Sequence, residues 1–398
     1  AARRTRLLWL GLLLLALALG GIYVYHTFLS RVNFAGSVGA GGAATVRVPP
    51  GFSVNVFAEG LDGPRFIAFG PDGVLYVAER GAGRIVALPD GDGDGRADAL
   101  QPVAEGLDRP HSLVYHEGAW YVGLPGSVVR LAPDGGSGTT PTVVVGDLPS
   151  GGAHTTRTVA FLPDGRMVVA IGSSCNVCIE DDPRRAAIMV YDADGGNGRL
   201  FATGLRNAVG LAIEPTTGAL WATNNGRDLM GDNVPPETVY IVNEGEHYGW
   251  PVCHAGDVID PQFGSDGACD GVPAPVLKMQ AHMAPLALAF YTGERFPDDY
   301  RGDLFIALHG SWNRPEPVGY KVMRVPIEGG QVAGPAEDFA TGWLADGRVL
   351  GRPVGLAIGP DGALYVSDDR GGFIYRIAYT PKGQRGRFMS VLLCPRPG

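Results

Sequence analysis

Ahead of several alternating apolar stretches the chain places side chains that can move protons or hold anions. His154 opens "HTTRTVAFLPDG" with Arg157 three residues on. Arg65 stands in "PRFIAFGPDG", His111 in "PHSLVYHEG", Arg206 and Asn207 in "LRNAVGLAI", His282 just before "APLALAF", and Arg352 in "GRPVGLAIGPDG". An imidazole titrates near neutral pH and can take a proton from a hydroxyl, whereas a guanidinium grips a carboxylate through two parallel hydrogen bonds. Taken singly, an arginine here simply bonds neighbouring carbonyls. Six such positions, in a chain of 41 acidic and 32 basic residues with net charge −9, point instead to a ligand bearing several carboxylates.

Two other clusters could do chemistry. In "DGDGDGRADAL", Asp90, Asp92, Asp94 and Asp98 occupy positions one, three, five and nine of a calcium loop, with Gly95 at the sixth; Gln101 stands where the closing glutamate belongs. The plainer reading is a solvated acidic turn. Cys175 and Cys178 form a C-x-x-C, a pattern shared by redox pairs, metal half-sites and haem attachment. Ile179 replaces the histidine that haem attachment needs, and no second pair is spaced for zinc. Disulfides in an oxidising compartment remain, with Cys253 and Cys269 spaced for a second one and Cys394 left without an obvious partner.

These side chains need a scaffold that brings distant residues together. With 61 glycines, 31 prolines and 45% hydrophobic residues, the composition describes many short strands joined by many turns. One unit recurs six times, beginning at Pro64, Pro110, Arg157, Val209, Pro285 and Val354: an alternating strand, a turn on Asp-Gly or its equivalent, and a second strand rich in Tyr, Val and Leu. This is the meander of a propeller blade, and the fold class is an all-β, six-bladed β-propeller. The wider spacing of the later units predicts long insertions after the second strands of units four and five. Residues just ahead of each innermost strand then crowd one rim of the axial channel.

The chain divides into an N-terminal segment over 1–29, a Gly/Ala-rich linker over 30–44, the propeller over 45–380 and a tail over 381–398. Arg3, Arg4 and Arg6 precede the apolar run "LLWLGLLLLALALGGIYVY" from Leu7 to Tyr25, the length of a transmembrane helix. Its arginines predict a cytoplasmic start and an exported body, on the periplasmic or cell-surface side; a cleaved signal peptide is the alternative. Without a sizeable basic block after residue 31, nucleic acid is excluded as a partner.

From about Pro50 to Tyr379 the chain resembles the pyrroloquinoline quinone (PQQ)-dependent sugar dehydrogenases, particularly the sorbosone and aldose sugar dehydrogenase branch. The likeness rests on "AHTTRTVAFLPDGRMVVAIG", "GLRNAVGLAIEPTTGALWATNNG", "PPETVYIVNEGEHYGWP", "ALHGSWNR" and "GRPVGLAIGPDGALYVSDD". It implies His154 as the general base and Arg206 as a catalytic guanidinium that stabilises charge on the quinone oxygen. Arg206, Asn207, Asn225, Gly226, His282 and Arg352 are implied cofactor contacts. The backbone carbonyls of Gly226 and Arg227 are implied holders of a cofactor calcium ion. Two departures stand out: Val354 replaces a family arginine, and the family's cofactor lysine lacks a counterpart, leaving His309, Arg314 or Lys321 in its place. Arg65, His111 and Arg157 are expected to line the substrate pocket. The resemblance implies PQQ and Ca2+ as cofactors, a sugar or sugar-derived aldehyde or alcohol as substrate, and a separate quinone or cytochrome as electron acceptor. A calcium-dependent six-bladed lactonase or esterase and a non-catalytic ligand-binding propeller are the rival readings.

Overall fold

The computed structural model describes residues 45–132 and 140–380. The Pro-Asp-Gly turns set its grammar. In Leu162–Arg166 the Asp164 carboxylate accepts from the Arg166 amide at 3.1 Å and Gly165 takes φ +83°, so Arg157–Phe161 folds back onto Met167–Ile171. Continued antiparallel pairing adds Ala187–Tyr191 and Arg199–Thr203 to complete a four-stranded blade.

Six such sheets are present. Their innermost strands are Pro64–Phe69, Ser112–His116, Arg157–Phe161, Ala208–Ile213, Pro285–Phe290 and Pro353–Ile358. Each touches the next, and the sixth touches the first, so the ring closes. The sixth blade takes its outermost strand, Phe52–Ala58, from the other end of the chain, paired antiparallel with Phe373–Tyr379.

Alternation along each strand buries side chains on both faces of every blade, and one apolar core fills each gap between neighbours. Blades five and six share Phe305, Phe339, Trp343 and Tyr375; blades three and four share Val168, Ile188, Leu220 and Tyr240. Nearer the axis, hydroxyls lock blades together. Ser112 Oγ donates to the Arg157 carbonyl at 2.9 Å, Thr223 Oγ1 to Leu286 at 2.8 Å and Ser367 Oγ to Arg65 at 2.5 Å, while Thr158 makes the same bond to Val209. Gly210 permits this closeness, because a Cβ there would collide with the Leu286 carbonyl. Val209, Leu286 and Val354, with Phe66, form an apolar plug on the inner strands. Val354, where the resembling family has arginine, is thus fully buried in that plug.

The longest insertion follows the third strand of blade four, not the second: residues 242–276 carry the hairpin Cys253–His254 and Val258–Ile259 and the Cys253–Cys269 disulfide. Shorter loops over 225–236 and 309–320 do follow the second strands of blades four and five. The expected membrane helix, Leu7 to Tyr25, lies outside the described residues, as does Cys394. Among the described residues no helix is long and apolar enough to cross a membrane, and Asp298–Tyr300 forms a 3-10 turn.

Candidate active site

An antiparallel meander brings the start of each innermost strand and the loop after each second strand to the same end of the blade. At that end lies a cavity of about 220 Å³ lined by Arg65, His154, Arg206, Asn207, Asn225, Asp228, Glu237, Ala284, Leu286, His282, His309, Gly310, Trp312, Asn313 and Arg352. Leu286, part of the axial plug, also lines the cavity, so the plug borders it on the axis.

His154 is held by Ser173, whose carbonyl lies 2.9 Å and whose hydroxyl 3.0 Å from Nδ1. A carbonyl only accepts, so Nδ1 carries the hydrogen and Nε2 keeps its lone pair. Nε2 has no partner among the described residues and is not buried. Gly172 makes the approach possible: a Cβ there would sit 2.5 Å from Asn207 Oδ1 and 2.6 Å from His154 Cβ. Burial, then the charge of Arg206, pushes the ring down to about 3 from its usual 6.5, against the Ser173 carbonyl. The imidazole is therefore neutral and can receive a proton.

Arg206 lines the cavity, but its five N–H groups are already engaged. Nε and Nη2 bond the Asn176 carbonyl and side chain at 2.9 Å each, Nη1 bonds the carbonyls of Gly226 at 2.6 Å and Asn225 at 3.3 Å, and Nη2 also pairs with Asp228 at 2.7 Å. It thereby braces the 225–228 loop along the cavity wall. Asn176 comes from the Cys175–Cys178 disulfide loop and also accepts from the Asp228 amide.

A second network crosses the ring seam. Asp369 pairs with Arg65 at 2.5 Å and with His309 Nε2 at 2.9 Å. Burial opposes its ionisation, but His309 and Arg65 outweigh burial and hold the carboxyl well below the usual range. Arg352 donates to His309 Nδ1 at 3.2 Å, to the Gly310 carbonyl at 3.4 Å and to Tyr320 at 3.3 Å. Among the described cavity cations it is the one without a carboxylate partner. His309, rather than Arg314 or Lys321, occupies the cavity wall. Arg314 is buried on the carbonyls of Asp232 and Ala281, and Lys321 pairs with Asp338.

Oxygen donors gather on the wall opposite in chemistry. Glu237 accepts from the amides of Gly226 at 2.7 Å and Ala284 at 3.3 Å. Burial pushes its carboxyl up to about 7 and Asp228 adds to the rise, against the Gly226 and Ala284 amides and the charge of Arg206. Asn225 and His282 line the cavity while bonding Pro285 and Gly231. Arg227 turns its side chain away onto the buried Asp260, itself bonded to His254 at 2.8 Å.

Two expected pocket residues lie elsewhere. His111 is fully buried beneath Arg65, whose Nε donates to its Nδ1 at 3.3 Å, and packs on Phe66. Arg157 is also fully buried, capping the carbonyls of Pro149, His154 and Thr156 in its own loop. Asp228, Glu237, Trp312, Asn313 and Asp369 were missed, although all but Glu237 follow a second strand, where the meander rule would have found them. In the acidic loop, oxygens of Asp90, Asp92 and Asp94 lie within 4.8 Å of one another. Asp98 instead accepts from the Gly91 amide at 2.7 Å, so it caps the loop and is not among the converging carboxylates. Both expected disulfides are formed.

Known proteins resemble this chain in sequence and fold. An uncharacterized protein of Borreliella burgdorferi is 28% identical over 84% of this chain and 91% of its own length. A pyrroloquinoline quinone-dependent pyranose dehydrogenase of Coprinopsis cinerea is 28% identical over 83% of this chain, which spans 54% of that enzyme. The holo form of the PQQ domain of a pyranose dehydrogenase from the same fungus superposes with a TM-score of 0.71 at 25% identity, covering 84% of this chain and 97% of that domain. A family profile described as TrAA12-like matches residues 46–380, the whole propeller, and the chain belongs to that family.

Proposed function

We propose that the protein is a PQQ-dependent oxidoreductase that oxidises a sugar or sugar-derived aldehyde or alcohol. The observation that carries this reading is the open Nε2 of a neutral His154 at a cavity that also presents arginine and amide donors. The Coprinopsis relative is a PQQ-dependent enzyme, which supports it.

The donor set fits the cofactor. Arg352 and Asn207 offer N–H groups to carboxylates, while the Asp228 and Glu237 carboxylates suit a hard cation such as calcium; the Gly226 carbonyl could join them only on release from Arg206 Nη1, which bonds it at 2.6 Å. When bound, PQQ supplies the two-electron acceptor for substrate oxidation. The protein's part is to position and to move a proton. His154 Nε2 takes the proton of the substrate hydroxyl, and Ser173 fixes the tautomer that makes this possible. Since Arg206 contributes to depressing the imidazole, an anionic ligand beside it raises His154 and strengthens the base. An axial-metal lactonase holds its ion on carboxylates and amides, whereas Arg65, Arg206 and Arg352 crowd this cavity.

Three finer readings belong to the same proposal. Asp90, Asp92 and Asp94 hold a structural calcium ion, the protein is exported and tethered by its arginine-flanked apolar run, and a separate quinone or cytochrome receives the electrons. The test uses the full chain with PQQ and Ca2+, following quinone absorbance and dye reduction on a panel of aldoses. Saturable binding with sugar-dependent reduction is expected; absence of PQQ binding overturns the reading.

A further inference from the structure

The Asp369 amide bonds the Arg352 carbonyl at 3.3 Å, yet the Asp369 carboxylate makes no ion pair with the Arg352 guanidinium beside it. Its Oδ2 accepts from Arg65 at 2.5 Å, and Oδ1 and Oδ2 lie 2.9 and 3.1 Å from His309 Nε2. Three blades meet there: Arg65 comes from the innermost strand of the first, while His309 and Asp369 follow the second strands of the fifth and sixth. A carboxylate only accepts, so His309 Nε2 carries the hydrogen. The imidazole is neutral, because burial, helped by the charges of Arg352 and Arg65, holds its pKa below the ordinary value against the pull of Asp369. Nδ1 therefore keeps its lone pair, and it faces Arg352 Nη1 at 3.2 Å. The other tautomer would set N–H against N–H.

Arg352 gains an acceptor that holds it on the cavity wall, with the Gly310 carbonyl at 3.4 Å and the Tyr320 hydroxyl at 3.3 Å as its other partners. Its charge stays uncancelled, since Arg65 and His309 occupy the nearest carboxylate. All three contacts of the guanidinium are 3.2 Å or longer, so an incoming carboxylate, whose charge-assisted bonds run to about 2.8 Å, displaces them readily. We propose that Asp369 is a positioning residue for anion capture: it fixes the His309 tautomer, and the His309 lone pair in turn presents Arg352 to a ligand carboxylate. The proposal rests on the PQQ reading above, in which Arg352 meets a cofactor carboxylate, and adds the two residues that prepare Arg352 for it. Asp369 acts through its neighbours and takes no part in proton transfer.

The test places Asp369→Asn in the full-length protein. Arg65 has only donors, so the new amide turns its oxygen to Arg65 and its NH2 to His309, and the imidazole must move its hydrogen to Nδ1, against Arg352. Long-range 1H–15N correlation spectra of ligand-free, 15N-histidine-labelled protein read the tautomer, with the His309 signals identified by their loss in His309→Asn. Wild type should show the Nε2–H form and Asp369→Asn the Nδ1–H form. PQQ affinity, read by absorbance titration with Ca2+, should fall on the order of tenfold to a hundredfold in Asp369→Asn. In His309→Asn an amide oxygen takes the place of Nδ1 and can face Arg352 whatever stands at position 369. Affinity should there stay within about threefold of wild type, and adding Asp369→Asn should cost less than about threefold more. His309→Leu, which deletes the lone pair, should lose as much affinity as Asp369→Asn and keeps the test decisive if that variant does not fold. An Nδ1–H imidazole in the wild type, an unchanged tautomer in Asp369→Asn, a changed tautomer with unchanged affinity, equal losses in both backgrounds, or full affinity in His309→Leu would each overturn the proposal. A wild type that binds no PQQ would instead sink the reading on which it rests.

Discussion

The two ends of the propeller use the same strands and opposite chemistry. At the turn end, Asp72, Asp164 and Asp361 each accept from the amide two residues on, at 3.1, 3.1 and 3.0 Å, and Gly73, Gly165 and Gly362 each close the same turn. At the cavity end no loop repeats another. Asp369 meets Arg65 across 304 positions and His309 across 60; Asp228 meets Arg206 across 22 and Asn313 across 85. Size does not separate the two ends. A groove of about 760 Å³ lies at the turn end, but its Asp361 is engaged by Arg376 at 2.5 Å and Arg295 at 3.8 Å. Repeated local bonds build a frame, and unrepeated distant bonds leave a few groups open to a ligand.

The contrast is most exposed at His154. Replacing it with Ala should lower turnover by about two to four orders of magnitude while PQQ affinity and unfolding temperature stay close to wild type, as steady-state kinetics, absorbance titration and thermal melting would show. A comparable loss of PQQ affinity would mean that the ring is framework after all. Next comes Arg206→Lys, which leaves three donors in place of five and cannot span Asn176, Gly226 and Asp228 together. PQQ affinity should drop on the order of tenfold, with a lower melting temperature.

Glu237→Gln tests the electrostatics without changing shape. The wild-type carboxyl sits near 7 in the folded protein against 4.5 ordinarily, so its contribution is full below pH 4.5 and is lost as pH rises through 7. His154 runs the other way, with its contribution full above pH 6.5 and lost as pH falls toward 3. In ligand-free protein the variant should show a flatter decline in denaturant midpoint across the Glu237 window and weaker Ca2+ affinity. The smallest effect belongs to the turn end: Asp164→Ala should cost about 0.5–1 kcal/mol in denaturant unfolding and leave kcat/KM unchanged. A kinetic effect there would erase the distinction between frame and site.

The same contrast explains what could be read from the chain. Blades were legible because each turn bonds within five residues, so "LPDGR" or "GPDGA" carries its own geometry. His154, Asn207 and Arg352 were legible because the start of an innermost strand is a position that six copies define. Asp369 and Asp228 were hidden, since "SDDRGG" and "NNGRDL" look like polar loops until the fold supplies their arginines, Arg65 across the seam and Arg206 from the same blade. His111 and Arg157 share the position but not the outcome. Packing against Phe66 removes the first from the cavity, and the carbonyls of its own loop absorb the second. Position along the repeat names the rim; the neighbouring blade decides whether a side chain faces it.

Phe52–Ala58 pairs with Phe373–Tyr379, and just inside that seam Arg65 meets Asp369. A chain still emerging from the ribosome, or from a translocation pore, therefore has His154 long before it has the partner for Arg65. Closure of the ring must wait for the last strand to dock. A product cut short before residue 373 lacks the strand on which Phe52–Ala58 closes, so the clasp itself reports that the sixth blade has been made in full.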